Sequence, residues 1–140
     1  MGAFNEVATI GKAIESIINQ TYLCWEFIIV DDCSTDGTLD IITSYCEKDS
    51  RIKVCKNNRN IGLAESLNKA INYASGIYIA RMDADDISLP NRFDEQVKTL
   101  DSNSKLMVVG TAAYYIERNN IKKKLVRMPE YHRDLLRLIF

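Results

Sequence analysis

The sequence has no C-x-x-C pair, no long apolar run and no marked excess of charge of either sign. Its four cysteines, Cys24, Cys33, Cys46 and Cys55, lie 9, 13 and 9 residues apart, which excludes metal-finger and dithiol redox motifs. They read as free thiols of a reducing compartment. No apolar stretch approaches the roughly 20 residues that a membrane span needs. A formal net charge of -1 supplies no basic field for nucleic acid, and Lys122-Lys123-Lys124 is a short, local cluster. The N-terminus is neither basic nor followed by a long apolar stretch, so no signal peptide is expected. Asn19-Gln20-Thr21 fits a glycosylation acceptor, but without a secretion signal three matching residues carry little weight. No repeat, linker or low-complexity segment divides the chain. At 140 residues and 46% hydrophobic content it is too apolar for disorder and long enough to bury a core.

What is present is an alternation of two periods. Ile10, Ala13, Ile14, Ile17 and Ile18 fall on one face of a helix within residues 8–19. Phe27-Ile28-Ile29-Val30 is a continuous apolar run, the mark of a strand covered on both faces. Ser34, Thr35 and Asp36 offer N-caps to a helix bearing Leu39, Ile42, Tyr45 and Cys46. A short strand is expected at Ile52–Cys55 and a loop at Asn57-Asn58-Arg59-Asn60. A third helix then carries Leu63, Leu67, Ala70, Ile71 and Ala74, with Gly76 in the C-cap place. Ile77–Ala80 reads as a second buried strand. Pro90 suits the first turn of a helix with Phe93, Val97 and Leu100. Strands are expected at Leu106–Val109, Ala112–Ile116 and 121–127, and a final helix from Tyr131 to Phe140. The order predicts an α/β sheet, mostly parallel, with helices on both faces.

In such sheets ligands bind beyond the carboxyl ends of the strands. Asp31-Asp32 ends one apolar run and Asp83-x-Asp85-Asp86 ends another. A single Asp there is ordinarily a helix cap. Five carboxylates at two strand ends repel one another unless a counter-charge or protons intervene. A divalent cation removes the difficulty, because magnesium is held by one or two carboxylates together with phosphates and water. If the strand continues through Asp83, then Asp83 and Asp85 project to one side.

Phe4-Asn5-Glu6, Ala13–Ser16 with Asn19-Gln20-Thr21-Tyr22, and the run Glu26 to Thr38 resemble the opening of family 2 glycosyltransferases. Asn60-Ile61-Gly62-Leu63-Ala64, Asn68-Lys69-Ala70, Ile79 to Asp86, and Leu89-Pro90-Asn91-Arg92-Phe93 continue the match in the same order to about Leu100. The resemblance implies a Rossmann-like GT-A fold that binds a nucleotide-sugar, a UDP-sugar being the expected donor. It places Ala3, Phe4, Glu6, Asp32, Gly62, Asp83 and Ala84 around that donor. Phe4 would lie against the base, Asn5 and Glu6 shape the same loop, and Asp32 bonds the base or ribose. Gly62 lets backbone approach the nucleotide, and Asp83 sits near the ribose. Asp85, with Asp83, would hold Mn2+ or Mg2+. The implied reaction transfers a sugar with inversion to a hydroxyl of a glycan or lipid-linked acceptor, in the cytoplasm or at the inner face of the membrane. Asp86 and Arg81 remain open between the site, packing and salt-bridge roles.

Several positions depart from the family pattern. Phe4 lacks the hydroxyl of the commoner Tyr, Gly2 replaces a frequent Pro, and Cys33 stands where Gly or Asn is usual. Met1-Gly2-Ala3 matches only the end of the family's first strand, and the catalytic base is expected outside this chain. Glu117, Glu130 and Asp134 lack the family's local context, and His132 reads as a surface residue. The expected organisation is a donor-binding core over about 1–101 and the start of an acceptor-side region over about 102–140, both parts of one partial family 2 domain. The alternative is a non-catalytic fragment that binds nucleotide. A receiver domain and a haloacid-dehalogenase-like phosphatase fit less well. A full helix precedes Asp31-Asp32, no Lys ends a strand after Asp83, and the D-x-D is not on the first strand. Nothing in the residues fixes an oligomeric state.

Overall fold

The computed structural model describes residues 1–117 and 120–126. The chain divides into two compact units, Met1–Lys98 and one beginning at Thr99. The first unit holds a parallel sheet in the order β1-β2-β3, formed by Gly2–Ala3, Phe27–Asp31 and Ile52–Lys56. Helices α1 (Ile10–Ile18), α2 (Thr38–Cys46) and α3 (Leu63–Tyr73) connect or follow these strands, and α4 (Arg92–Ser102) carries the chain across the divide. In the second unit β4 (Ala113–Glu117) pairs antiparallel with β5 (Asn120–Val126), with a register shift between Ile116 and Glu117.

Side chains on β2 alternate between two cores. Phe27 and Ile29 join Ile10, Ala13, Ile14 and Ile17 of α1, Ile42 of α2 and Ile52 of β3. Ile28 and Val30 pack the other way, against Ala70 of α3 and Cys55. A strand with apolar neighbours on both faces needs no polar residue until it ends, which explains its uninterrupted run. All four cysteines are free thiols.

Three expectations differ from the structure. Ile77–Ala80 forms no strand; Ile77 is 93% and Ile79 57% exposed. A strand needs a ladder, and β1 pairs only with β2, over two residues. Leu106–Val109 is likewise outside any strand, with Met107 87% and Val108 83% exposed. Gly76 does not cap α3, which ends instead at the extended residue Ala74. Just past that end the Glu26 carboxylate accepts bonds from the backbone N–H and the hydroxyl of Ser75, both at 2.6 Å. The Ser75 hydroxyl and the Lys53 ammonium, with the Ser75 N–H, hold Glu26 down to about 2. The expected helix over Tyr131–Phe140 lies outside the described residues.

The apolar face of α3 is also turned from its simplest reading. Ser66 and Ala70 are buried, while Leu63 and Ile71 are half exposed. A Cβ on Gly2 would stand 3.0 Å from Leu63 Cδ1 and 3.5 Å from Ser66 Cβ. The helix therefore sits against β1 with small residues at the contact.

One side chain ties the end of α1 to the segment before α4. Gln20 is buried, and its Nε2 donates to Ser16 O (3.0 Å) and Leu89 O (2.8 Å). Its Oε1 accepts from Phe93 N at 3.0 Å. Ser88 N donates to Ser16 Oγ (3.0 Å) and Thr21 N to Pro90 O (2.8 Å) alongside it. Gln20→Ala leaves Ser16 O, Leu89 O and Phe93 N without the Gln20 side chain, and we expect a loss of roughly 2–4 kcal/mol in urea denaturation. A loss under about 0.5 kcal/mol would show that the clamp carries no stability.

Candidate functional site

The parallel register brings three strand ends to one level. Ala3 pairs with Asp31, and Asp31 with Lys56, so Phe4, Asp32 and Asn57 leave the sheet side by side. The carboxyl edge of the sheet opens into a cavity of about 460 Å3. Ala3, Phe4 and Glu6 line it from the end of β1, and Asp32 from the end of β2. Gly62 lines it from the start of α3, and Asp83, Ala84 and Asp85 complete it. The cleft thus gathers every residue that the sequence singled out for donor and metal. Gly2, Asn60, Leu63 and Ser66 also line it and were not singled out. Ser66 had a readable signal, since it lies one helical turn beyond Gly62 on α3.

Asp32 is buried, and its carboxylate is bonded on both oxygens. Oδ1 accepts from Asn57 Nδ2 (2.8 Å) and Ile61 N (2.9 Å), and Oδ2 from Gly62 N (2.8 Å). Burial pushes its pKa up. The Ile61 N–H, Asn57 amide, Gly62 N–H and Ser66 hydroxyl outweigh that and hold it below the ordinary carboxylate value. Gly62 meets Asp32 with φ 88 and ψ 161, a conformation reserved for glycine. Beside it Asp31 accepts from Ser34 N at 3.2 Å through Oδ2, while its buried Oδ1 has no partner among the described residues.

The loop after β1 is fixed from below by the start of α2. Asn5 adopts φ 55, donates its N–H to Ser34 Oγ (3.0 Å) and accepts from Thr35 N (2.9 Å). Glu6 N donates to Thr38 Oγ1 (2.8 Å). Asp36, one of the three candidate caps, accepts from the Thr38 hydroxyl at 2.6 Å and from its N–H at 3.0 Å. Cys33 takes φ 65, which explains why a residue tolerant of that region, Gly or Asn, is the usual occupant. Phe4 stands 45% exposed with its ring at the cleft.

Asp83 and Asp85 are not on a strand; Asp86 N donates to Asp83 O at 3.3 Å in a turn. The expected alternation nonetheless holds in burial. Met82 and Ala84 sit in the core with Ile29, and Asp83 and Asp85 turn to the cleft. Arg81, left open between roles, forms a bidentate ion pair with Asp83 (Nη2 to Oδ1 2.7 Å and Oδ2 2.9 Å). Burial raises the Asp86 pKa, the Asp85 and Asp83 carboxylates raise it further, and Arg81 and Arg92 oppose them. Arg92 also braces this segment, donating to Arg81 O (2.8 Å) and Ser88 Oγ (3.0 Å).

This donor set fits a hard divalent cation that brings its own ligands. Negative charge accumulates around Asp86, and Asp85 is exposed at the cleft. No group of three or more His, Cys, Asp or Glu side chains among the described residues is arranged to hold a metal ion. Asp85 and Asp83 could supply only part of a metal's coordination, the remainder having to come from phosphate oxygens and water. Glu130, His132 and Asp134 lie outside the described residues, as does the side chain of Glu117.

A parallel sheet covered on both faces, with Asp32 at the end of β2 and Asp83 and Asp85 from a non-strand segment turned into one cleft, is a Rossmann-like α/β arrangement, and the solved structures it resembles are GT-A glycosyltransferases. The family model described as glycosyl transferase family 2 matches residues 1–139, and the chain belongs to that family. It is 43% identical over 123 residues to EpsE of Bacillus subtilis, whose name as a glycosyltransferase is provisional; the match covers 87% of this chain and 44% of that protein. It is 37% identical over 120 residues to WfgD of Escherichia coli, named UDP-Glc:alpha-D-GlcNAc-diphosphoundecaprenol beta-1,3-glucosyltransferase, covering 86% of this chain and 46% of that one. Among solved structures it resembles the mannosyltransferase PcManGT from Pyrobaculum calidifontis in complex with GDP-Man and Mn2+. The TM-score is 0.67 at 26% identity, over 84% of this chain and 34% of that chain. The chain thus spans under half the length of the curated relatives it matches.

Two outcomes follow from the geometry. Asp32 is held as a carboxylate, so its stabilising contribution is present above the unfolded-state value of about 4 and lost as pH falls through the lower folded value. Asp32→Asn is expected to lower stability at pH 7 and to flatten the acid limb of a stability–pH curve below about pH 4. An unchanged acid limb would refute this. Gly62→Ala meets nothing within 4 Å of its new Cβ. Its cost is therefore torsional, about 1–3 kcal/mol, and an unaltered urea midpoint would exclude that strain.

Proposed function

We propose that this chain forms the donor-binding part of an inverting glycosyltransferase that moves a sugar from a nucleotide donor to an acceptor hydroxyl. The observation that carries this reading is the single cleft in which Phe4, Asp32, Gly62, Asp83 and Asp85 converge at the carboxyl edge of the sheet. Each has a task that its chemistry suits. The exposed Phe4 ring offers an apolar face to the base. Asp32, fixed as a carboxylate, accepts a bond from the base or ribose. Gly62 presents backbone without a side chain, so a nucleotide can approach closely. Asp83, paired with Arg81, faces the ribose, and Asp85 holds Mn2+ or Mg2+ with Asp83 beside it. A cation bound there neutralises charge on the departing nucleoside diphosphate.

A UDP-sugar is the donor we favour. WfgD is named for UDP-Glc, whereas PcManGT holds GDP-Man, so the family resemblance alone leaves the base open. The name of WfgD also supports a lipid-linked acceptor, and we infer a role in surface-glycan synthesis in the cytoplasm or at the inner face of the membrane. No helix among the described residues is long and apolar enough to cross a membrane. The donor core is read as about 1–101, and residues from about 102 onward as the beginning of the acceptor side. The base that deprotonates the acceptor is assigned to neither.

Calorimetric titration with UDP and GDP, with and without Mn2+, tests the site. UDP is expected to bind at least about tenfold more tightly with Mn2+, a difference of ~1.4 kcal/mol. Asp85→Ala should abolish that gain while leaving metal-free binding in place. Equal UDP affinity with and without Mn2+, or a gain that survives Asp85→Ala, would overturn the metal assignment.

A further inference from the structure

Asn57 does not line the cleft, yet it is 4% exposed and its N–H, Nδ2 and Oδ1 are all hydrogen-bonded beside Asp32. Its N–H donates to Asp31 O at 2.8 Å, the rung that continues the β2–β3 ladder. Its Nδ2 donates to Asp32 Oδ1 (2.8 Å) and to Ser66 Oγ (3.0 Å). Its Oδ1 accepts from Lys69 Nζ (2.8 Å), which reaches in from α3. An amide can sit in either of two flipped orientations. The flipped one would set Asn57 Oδ1 against Asp32 Oδ1, acceptor against acceptor, and would turn the amide nitrogen toward an ammonium that only donates. The Asp32 carboxylate and the Lys69 ammonium therefore both require the orientation in which Asn57 is a donor to Asp32, and Lys69 reinforces it from the far side of the amide. Ile61 N and Gly62 N bind the same carboxylate, so what fixes Asp32 also fixes the loop leading to Gly62.

We propose that Asn57, its orientation reinforced by Lys69, is a positioning residue for nucleotide binding, acting through Asp32 and the Ile61–Gly62 backbone. The inference rests on the reading of the cleft as a nucleotide site. The groups facing Asp32 are Asn57 beyond β3, Ile61 and Gly62 of the loop, and Ser66 of α3, all neutral. Asp31 precedes it on β2, and the nearest cation named is Lys69, one amide away.

Asn57→Asp keeps the acceptor for Lys69 and replaces the donor to Asp32 with a second carboxylate, so the pair must share a proton to keep the contact. We expect UDP affinity, relative to the wild-type chain at the same pH, to fall by roughly 30-fold at pH 8. About tenfold of that should return at pH 5.5, since each pH unit of coupled titration is worth up to tenfold. The Ile61 and Gly62 amide signals in two-dimensional NMR should titrate over the same range in the variant and stay still in the wild type. Lys69→Met keeps the aliphatic stem and should weaken UDP roughly fivefold without any titration. Wild-type affinity in both variants would overturn the proposal. So would an Asn57→Asp loss equal at both pH values with unmoved Ile61 and Gly62 signals, because a packing role predicts that result. If Asn57→Asp does not fold, Lys69→Met decides alone, a loss near fivefold supporting the proposal and none refuting it. Failure of the wild-type chain to bind UDP or GDP is a separate result, which removes the nucleotide reading and the inference with it.

Discussion

A buried charge has to be surrounded by donors or it does not stay charged, and here that requirement organises the cleft. The Asp32 carboxylate lies at the end of a strand with apolar cores on both sides, where desolvation alone would favour the neutral acid. Its remedy is drawn from elements distant in sequence: the Asn57 side chain just past β3 and the backbone N–H groups of Ile61 and Gly62. The bonds that keep Asp32 ionised are therefore the bonds that bring the 57–62 loop to the mouth of the sheet. Site and fold are one network at this point, not a site placed on a finished fold.

The other wall is held differently. The segment from Arg81 to Arg92 has no ladder and is suspended from α1 through Gln20 and Ser16, with Arg92 bracing it from its own end. Its acids are only partly compensated. Arg81 pairs with Asp83, whereas Asp86 is pushed toward its neutral form by burial and by the two carboxylates nearby. One wall of the cleft is thus saturated with neutral donors, and the other retains surplus negative charge. A ligand with an apolar base at one end and a diphosphate escorted by a cation at the other matches that polarity.

The sequence was legible where a pattern is local. The isoleucines of α1 at helical spacing, the four apolar residues opening β2 and Asp31-Asp32 at its end all stand within a few residues of what explains them, whereas the N-cap of α2 is Gly37 and none of the three candidates. Ile77–Ala80 and Leu106–Val109 look the same as Phe27–Val30 in composition. What distinguishes Phe27–Val30 is its place between two paired strands, which composition does not encode. Asn57 and Gln20 escaped notice for a related reason. Each acts on groups up to 73 residues away, and neither belongs to a periodic face. Glycine shows both sides: Gly62 marked a real conformational need, while Gly76 suggested a cap to a helix that has already ended at the extended Ala74.

Met82 and Ala84 point into the core while Asp83 and Asp85 point out, in a segment without strand hydrogen bonds. The two acids are therefore spaced by apolar packing beneath them as well as by the Gln20 and Ser16 bonds and the Arg81 pair, whereas the Asp32 carboxylate is held by hydrogen bonds at the end of a strand packed on both faces. These forces respond differently to heat, because apolar burial carries a large heat-capacity change and weakens on cooling. Cooling therefore weakens the apolar support beneath Asp83 and Asp85, which has no strand ladder beside it, together with the apolar cores that hold β2.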